Sequence, residues 1–323
     1  MDAQDRRARR EAQTTALRRR RRTAALGALT AALVAAVAVA LSAGGSSPRG
    51  RPQAVASHAA RKAGGTRTPA SSAGTATGSS SGPPGSEPVP ILMYHVIAAP
   101  PAGAPFPGLY VPPAEFSEEM HALKEAGWHA VTLDQVEANW KRGVSLGAGK
   151  PIVLSFDNGY QSQYTQALPV LQRLGWVGEE NIQLSGLPPS QGGLLQRQIR
   201  GLVAAGWELD TQGFSHADLV TLDPEELHYQ VAVSRQTLQR RFHVPVDWFC
   251  YPSGHYDATV IAAVKAAGYA GSTTVIPGWA NREDDPYRLP RLRVLGGTSP
   301  QQLLSNIAAI REDPPAPASY TGG

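Results

Sequence analysis

From residue 89 onward the chain alternates short apolar runs with amphipathic stretches, and that alternation restricts its fold more than any other feature. Val89 to Tyr94, His129 to Leu133, Ile152 to Phe156, Asn181 to Leu184, Trp207 to Leu209, Trp248 to Tyr251, Tyr269 to Thr273 and Leu289 to Val294 have the length and the β-branched or aromatic content of strands. Between them, Glu115 to Ala126, Asp134 to Lys141, Gln163 to Leu174, Leu194 to Ala205, Pro224 to Phe242 and Thr259 to Ala267 read as helices, several closed by a glycine such as Gly127 or Gly175. A repeated βα pattern implies a parallel sheet, open or closed, with functional groups gathered at the C-terminal strand ends. No glycine-rich phosphate fingerprint follows the first strand and no G-x-S-x-G elbow occurs, so nucleotide-binding and serine-hydrolase readings lose their main support.

The N-terminal quarter has a different character. Residues 1–22 hold nine Arg against Asp2, Asp5 and Glu11, and residues 23–88 hold Arg49, Arg51, Arg61, Lys62 and Arg67 against Glu87. The whole chain carries +4, so these two segments, at +6 and +4, leave −6 for the remainder. A basic tail on an acidic domain gives no argument for nucleic acid as a partner. Ala24 to Ala43 is an uncharged apolar run of 20 residues directly after Arg18 to Arg22. Its length suits one transmembrane helix, and the positive-inside rule places the N-terminus in the cytoplasm and the rest outside. Ala38-Val39-Ala40 also has the small residues of a cleavage site, so a secreted form after cleavage competes with a single-pass signal anchor; the length of the run favours the anchor. Residues 44–88, rich in Gly, Ser, Thr, Pro and Ala, read as a disordered linker. The expected organisation is a basic cytoplasmic tail (1–23), a transmembrane helix (24–43), the linker, a folded domain (89–311) and a disordered tail (312–323). With Cys250 as the single cysteine, the chain has no intramolecular disulfide and must rely on its core.

Within the domain, Pro151 to Phe156 delivers Asp157-Asn158 onto a Gly turn, which sets a carboxylate and a carboxamide side by side at a strand end. Two further strand ends carry polar groups: Asp210-Thr211-Gln212-Gly213-Phe214-Ser215-His216-Ala217-Asp218-Leu219, and Phe249-Cys250-Tyr251-Pro252-Ser253-Gly254-His255-Tyr256-Asp257. With Ile91-Leu92-Met93-Tyr94-His95 in the first strand, these segments resemble, in order and approximate spacing, the polysaccharide deacetylases: carbohydrate esterase family 4, the NodB-homology domain. The similarity runs from about Val89 to about Val294.

The resemblance implies an α/β fold, a distorted (β/α) barrel, that removes N-acetyl or O-acetyl groups from a glycan such as peptidoglycan or an exopolysaccharide. It implies a divalent metal, usually zinc, that polarises the acetyl carbonyl beside a carboxylate base. Position by position, Asp157 matches the catalytic base and His216 the second histidine ligand. Asn158 stands where the family has a metal-binding Asp, and Gln212 where it has the first histidine ligand, so Asn158, Gln212 and His216 are the residues at the metal positions. Neutral carboxamides are poor zinc ligands beside imidazole and carboxylate. Ser253 replaces a Tyr whose backbone N–H serves the oxyanion, Cys250 replaces an Arg, and no histidine follows His255 to match the family's general acid. His255 itself, after a Pro-Ser-Gly turn, is a candidate for that role; Asp210, Asp218 and His95 are candidate substitute ligands. Hydrolysis of the acetyl group therefore competes with a second expectation, a metal-depleted module that binds glycan or acts as a scaffold.

Overall fold

The computed structural model describes residues 83–187 and 192–322. The expected basic tail, the transmembrane segment and the linker up to residue 82 lie outside the described residues. Among the described residues, no helix is long and apolar enough to cross a membrane.

Nine strands form one sheet: β1 (Val89–Tyr94), β2 (Trp128–Val131), β3 (Lys150–Asp157), β4 (Glu179–Ile182), β5 (Glu208–Thr211), β6 (Trp248–Cys250), β7 (Gly271–Thr273), β8 (Trp279–Ala280) and β9 (Leu292–Arg293). Their order is β7-β6-β5-β4-β3-β1-β8, with β2 also on β3 and β9 also on β1. All pairings are parallel except β1 with β8. The helices are α1 (Pro113–Glu125), α2 (Leu133–Arg142), α3 (Leu168–Leu174), α4 (Gln196–Ala204), α5 (Pro224–His228), α6 (Ser234–Phe242), α7 (Ala258–Ala266) and α8 (Pro300–Ala309). A π turn at Gln163–Ala167 leads into α3, and another at Tyr229–Val233 joins α5 to α6. The result is an α/β curled parallel half-barrel of the NodB type, which refines the expected distorted barrel. The segment from Leu289 to Arg293 runs between the two ends of the curl: Leu289 bridges Thr273 of β7, and Leu292 pairs with Leu92 of β1.

Strand alternation sorts the side chains into an outer and an inner face. Outward, Leu92, Tyr94, Ile152, Leu154 and Phe156 pack under the helices, where the Phe156 ring lies 4.9 Å from Trp207 and 5.6 Å from Tyr94. Inward, the floor is apolar: Val89, Ile91, Val153 and Trp248 cluster with Leu133, Val136 and Trp140 of α2, which stoppers the lower opening. Thr132 caps α2 reciprocally with Gln135. One glycine is dictated by this interior, because a Cβ on Gly271 would sit 2.4 Å from the Trp248 ring and 2.3 Å from the Pro286 carbonyl oxygen. Above the floor the inward side chains turn polar: Ser155, Glu179, Glu208 and Asp210, then Asp157 and Asn181.

Two corrections to the sequence reading concern the C-terminus. Helix α8 was not anticipated, although Ser299 caps it from the position before Pro300. The expected disorder beyond Arg311 does not describe residues 313–322. Tyr320 exchanges both backbone hydrogen bonds with Tyr256, the Tyr256 hydroxyl donates to the Pro317 carbonyl at 2.8 Å, and Arg288 donates to that of Ala316 at 2.9 Å. A Pro-rich stretch lacks donors but not carbonyls, and the domain supplies the donors.

Candidate active site

Parallel topology brings the C-terminal ends of β1, β3, β5 and β6 to one rim, around a cleft of ≈ 390 Å³ lined by His95, Asp157, Asn158, Gln212, His216 and Ser253 among others. Five of the six site residues expected from the sequence therefore meet in one cleft. His255 does not line it. Its Nδ1 lies 3.1 Å from Asp218 Oδ1 and its ring packs at 6.0 Å from Tyr320, so the candidate acid is engaged on the flank of the cleft. Asp218 is thereby occupied as well, and Asp210 points down into the barrel, where its Oδ1 accepts the Asp247 and Trp248 N–H groups.

Asp157 ends β3 and is 1% exposed. Arg291 grips it with two parallel hydrogen bonds, Nη1 to Oδ1 at 2.8 Å and Nη2 to Oδ2 at 2.9 Å. The Asn181 amide adds 3.0 Å to Oδ1, and the Cys250 thiol lies 3.5 Å from Oδ2. Burial alone would raise this carboxyl, but the Arg291 guanidinium outweighs it, with help from His95 and Asn181, and holds the group at about 2. Asp157 is thus ionised and fixed. Arg291 is the functional residue that sequence reading missed. Arg291, reaching in from the segment that spans the curl, touches both Asp157 and the Cys250 sulfur, the latter at 3.3 Å. Burial pushes the Cys250 thiol far up, which rules it out as a nucleophile at neutral pH.

His95 follows β1 on the opposite wall, with 9% exposure and a buried Nδ1 that has no hydrogen-bond partner. Burial lowers it to about 4, against the pull of Asp157 and with the push of Arg291, Arg293 and His216, so its imidazole is neutral at pH 7. Gln163 opens the π turn before α3, and its amide nitrogen donates 2.9 Å hydrogen bonds to the carbonyls of both His95 and Asp157. One buried carboxamide thereby fixes the spacing of the two strand ends.

The metal positions carry a different donor set from the one zinc requires. Gln212 Oε1 accepts the Asn158 backbone N–H at 3.1 Å, and Asn158 adopts left-handed backbone with φ 79° before Gly159. His216 is left-handed too (φ 52°), and burial lowers its pKa. The donor set is one imidazole and two neutral carboxamides, one of them already tied to backbone, beside a carboxylate chelated by Arg291. Structural and catalytic zinc sites are built from thiolate, imidazole and carboxylate, and this set does not fit the ion. Among the described residues, the grouping of three His, Cys, Asp or Glu donors close enough for a metal lies elsewhere, at Glu179, Glu208 and Asp210.

A curled parallel half-barrel with an acid and imidazoles at its strand ends defines the class of NodB-type glycan deacetylases. Residues 147–272 match the family model described as polysaccharide deacetylase. The chain is 28% identical over 224 residues to YxkH of Bacillus subtilis, described as a polysaccharide deacetylase, across 69% of this chain and 77% of that protein. A 59-residue segment is 39% identical to the poly-β-1,6-N-acetyl-D-glucosamine N-deacetylase of Escherichia coli K12, covering 18% of this chain and 9% of that one. The polysaccharide deacetylase BC0361 of Bacillus cereus superposes with a TM-score of 0.61 at 26% identity, over 68% of this chain and 69% of its own.

Proposed function

We propose that the cleft hydrolyses N-acetyl groups of an exopolysaccharide or cell-wall glycan, with His95 as the group that moves the proton. The observation that carries this reading is the neutral His95 imidazole, its Nδ1 unpartnered, in one cleft with the ionised, immobilised Asp157. Water attacks the acetyl carbonyl carbon and His95 takes its proton. The fixed negative charge of Asp157 favours the imidazolium that forms. Collapse of the tetrahedral intermediate breaks the C–N bond, and His95 returns the proton to the departing sugar amine, leaving acetate. The backbone N–H of Ser253, a residue of the cleft wall with φ 57°, is assigned in this scheme to the oxyanion. Zinc has no part in this scheme because the donor set does not fit it.

Acetate release from poly-β-1,6-N-acetylglucosamine and from N-acetylglucosamine oligomers tests the reading. His95→Ala should lower kcat by about 10²-fold or more, as loss of a general acid–base group does. Unchanged turnover in that variant sinks the assignment. The Gln212 to Asn158 hydrogen bond favours a second reading, a module that retains glycan without cleaving it; glycan binding by calorimetry with no acetate released supports it.

The domain is proposed to act outside the cell on a membrane tether. Support comes from the apolar Ala24 to Ala43 run after five arginines. Protease digestion of intact cells should release the domain, and a protected domain would refute this placement.

A further inference from the structure

Below Asp157, on the same inward face of the sheet, three carboxylates converge. Glu179 opens β4, Glu208 opens β5 as its register partner, and Asp210 follows two residues on. One oxygen from each lies within 4.8 Å of the other two. Asp210 Oδ1 and Glu208 Oε2 are engaged by backbone N–H groups, the latter by that of Asp134 at 3.1 Å. The remaining oxygens have no hydrogen-bond partner: both of Glu179, Oε1 of Glu208 and Oδ2 of Asp210. Glu179 is 0% exposed, so water does not satisfy it from outside. A fully buried carboxylate with both oxygens orphaned among two further carboxylates lacks a positive partner. Arg291, the guanidinium that faces this level, is already committed to Asp157 by two hydrogen bonds, and Asp134 adds a fourth acid, its Oδ1 on the Trp248 indole.

We infer that Glu179, Glu208 and Asp210 form a divalent-cation site inside the half-barrel, and that its ion is calcium. The donors are all oxygen, which selects a hard cation over zinc or copper. Magnesium keeps several of its waters, whereas calcium accepts six to eight oxygens in irregular mono- or bidentate geometry. None of the three residues lines the cleft, so this site is separate from the positions at which the family holds its metal, and it stands whether or not the proposed deacetylation does.

The full chain, stripped with chelator and exchanged into metal-free buffer, tests this with Ca²⁺, Mg²⁺ and Mn²⁺ each as the sole probe and with Tb³⁺ excited through Trp248. One equivalent of calcium should remain bound after gel filtration, terbium emission should appear and be displaced by calcium, and the thermal midpoint at pH 7.5 should rise with calcium more than with magnesium. Glu179→Gln should weaken calcium binding by at least about tenfold, and Glu208→Gln does the same if the first variant fails to fold. His216→Ala should leave the calcium equivalent in place. No retained calcium and no midpoint change with any of the three ions would overturn the site, the carboxylates then being satisfied by protons. Loss of calcium in His216→Ala with binding intact in Glu179→Gln would also overturn it by moving the ion to the cleft.

Discussion

The inner face of the sheet holds buried carboxylates at two levels, and their fates are opposite. At the upper level Asp157 meets a guanidinium with matched fork geometry and is held at about 2. One layer down, Glu179, Glu208 and Asp210 meet mainly one another. Burial, with the neighbouring acids adding to it, raises all three, Glu208 to about 7. Adjacent strands and, at Asp157, Glu179 and Asp210, equally complete burial thus give a charged group or a proton-hungry one, according to which counter-charge lies beside it. Burial sets the size of the electrostatic penalty, and the partner decides whether it is offset.

The largest test of this contrast removes the partner. Arg291→Met should destabilise the domain by about 3–5 kcal/mol in urea denaturation at pH 7, because it leaves Asp157 buried and unpaired. The additional change Asp157→Leu should restore most of the loss, and a single-variant loss below about 1 kcal/mol would mean that water reaches the carboxylate.

The two levels also predict opposite pH slopes. The folded-state value of Asp157 lies below its ordinary 3.8, so its contribution is present above about pH 4 and disappears as pH falls toward 2. Nearly two units correspond to about 2 kcal/mol. Glu208 lies above its ordinary 4.5, so the folded state holds its proton more tightly; stability is full below pH 4.5 and falls as pH rises through about 7. Stability measured in chelator should therefore peak near pH 4–5, and a flat profile from pH 4 to 8 would show that the lower level carries no strain. Glu208→Gln should flatten the alkaline side, with a gain of about 1–2 kcal/mol at pH 8 and little at pH 4, read from chemical denaturation at both values. The smallest effect belongs to Cys250→Ala, about 1 kcal/mol, since the thiol contributes packing and a weak contact to a pair already satisfied by Arg291. The native thiol should resist alkylation until the protein unfolds.

The sequence carried the strands and helices well because their periodicity is local. Val89 to Tyr94 is a strand over its whole predicted length, and the run from Pro224 to Phe242 is helical apart from its π turn. The gathering of Asp157, Asn158, Gln212, His216 and Ser253 was legible too, since each follows an apolar run and parallel strands place such ends together. What escaped depends on contacts across the barrel. Arg291 lies 134 residues from Asp157 in a segment with no motif of its own, and only the bridging of the curl by Leu289 to Arg293 brings it inward. The β8 strand has two residues, too few for an alternation to show. Glu179 and Glu208 belong to no sequence motif, and it is the curl of the sheet that turns them inward.

The packing of α2 has a kinetic consequence. Leu133, Val136 and Trp140 of α2 pack against the floor, and the Asp157–Arg291 pair lies above the buried acids, so both cover the middle of the barrel. Exchange of protons, water or an ion at Glu179 is then timed by the breathing of the fold, with α2 as the valve, and a chelator added to the native protein should act at the rate at which that helix lifts. Chelation measured against time becomes a stopwatch on the opening of the half-barrel.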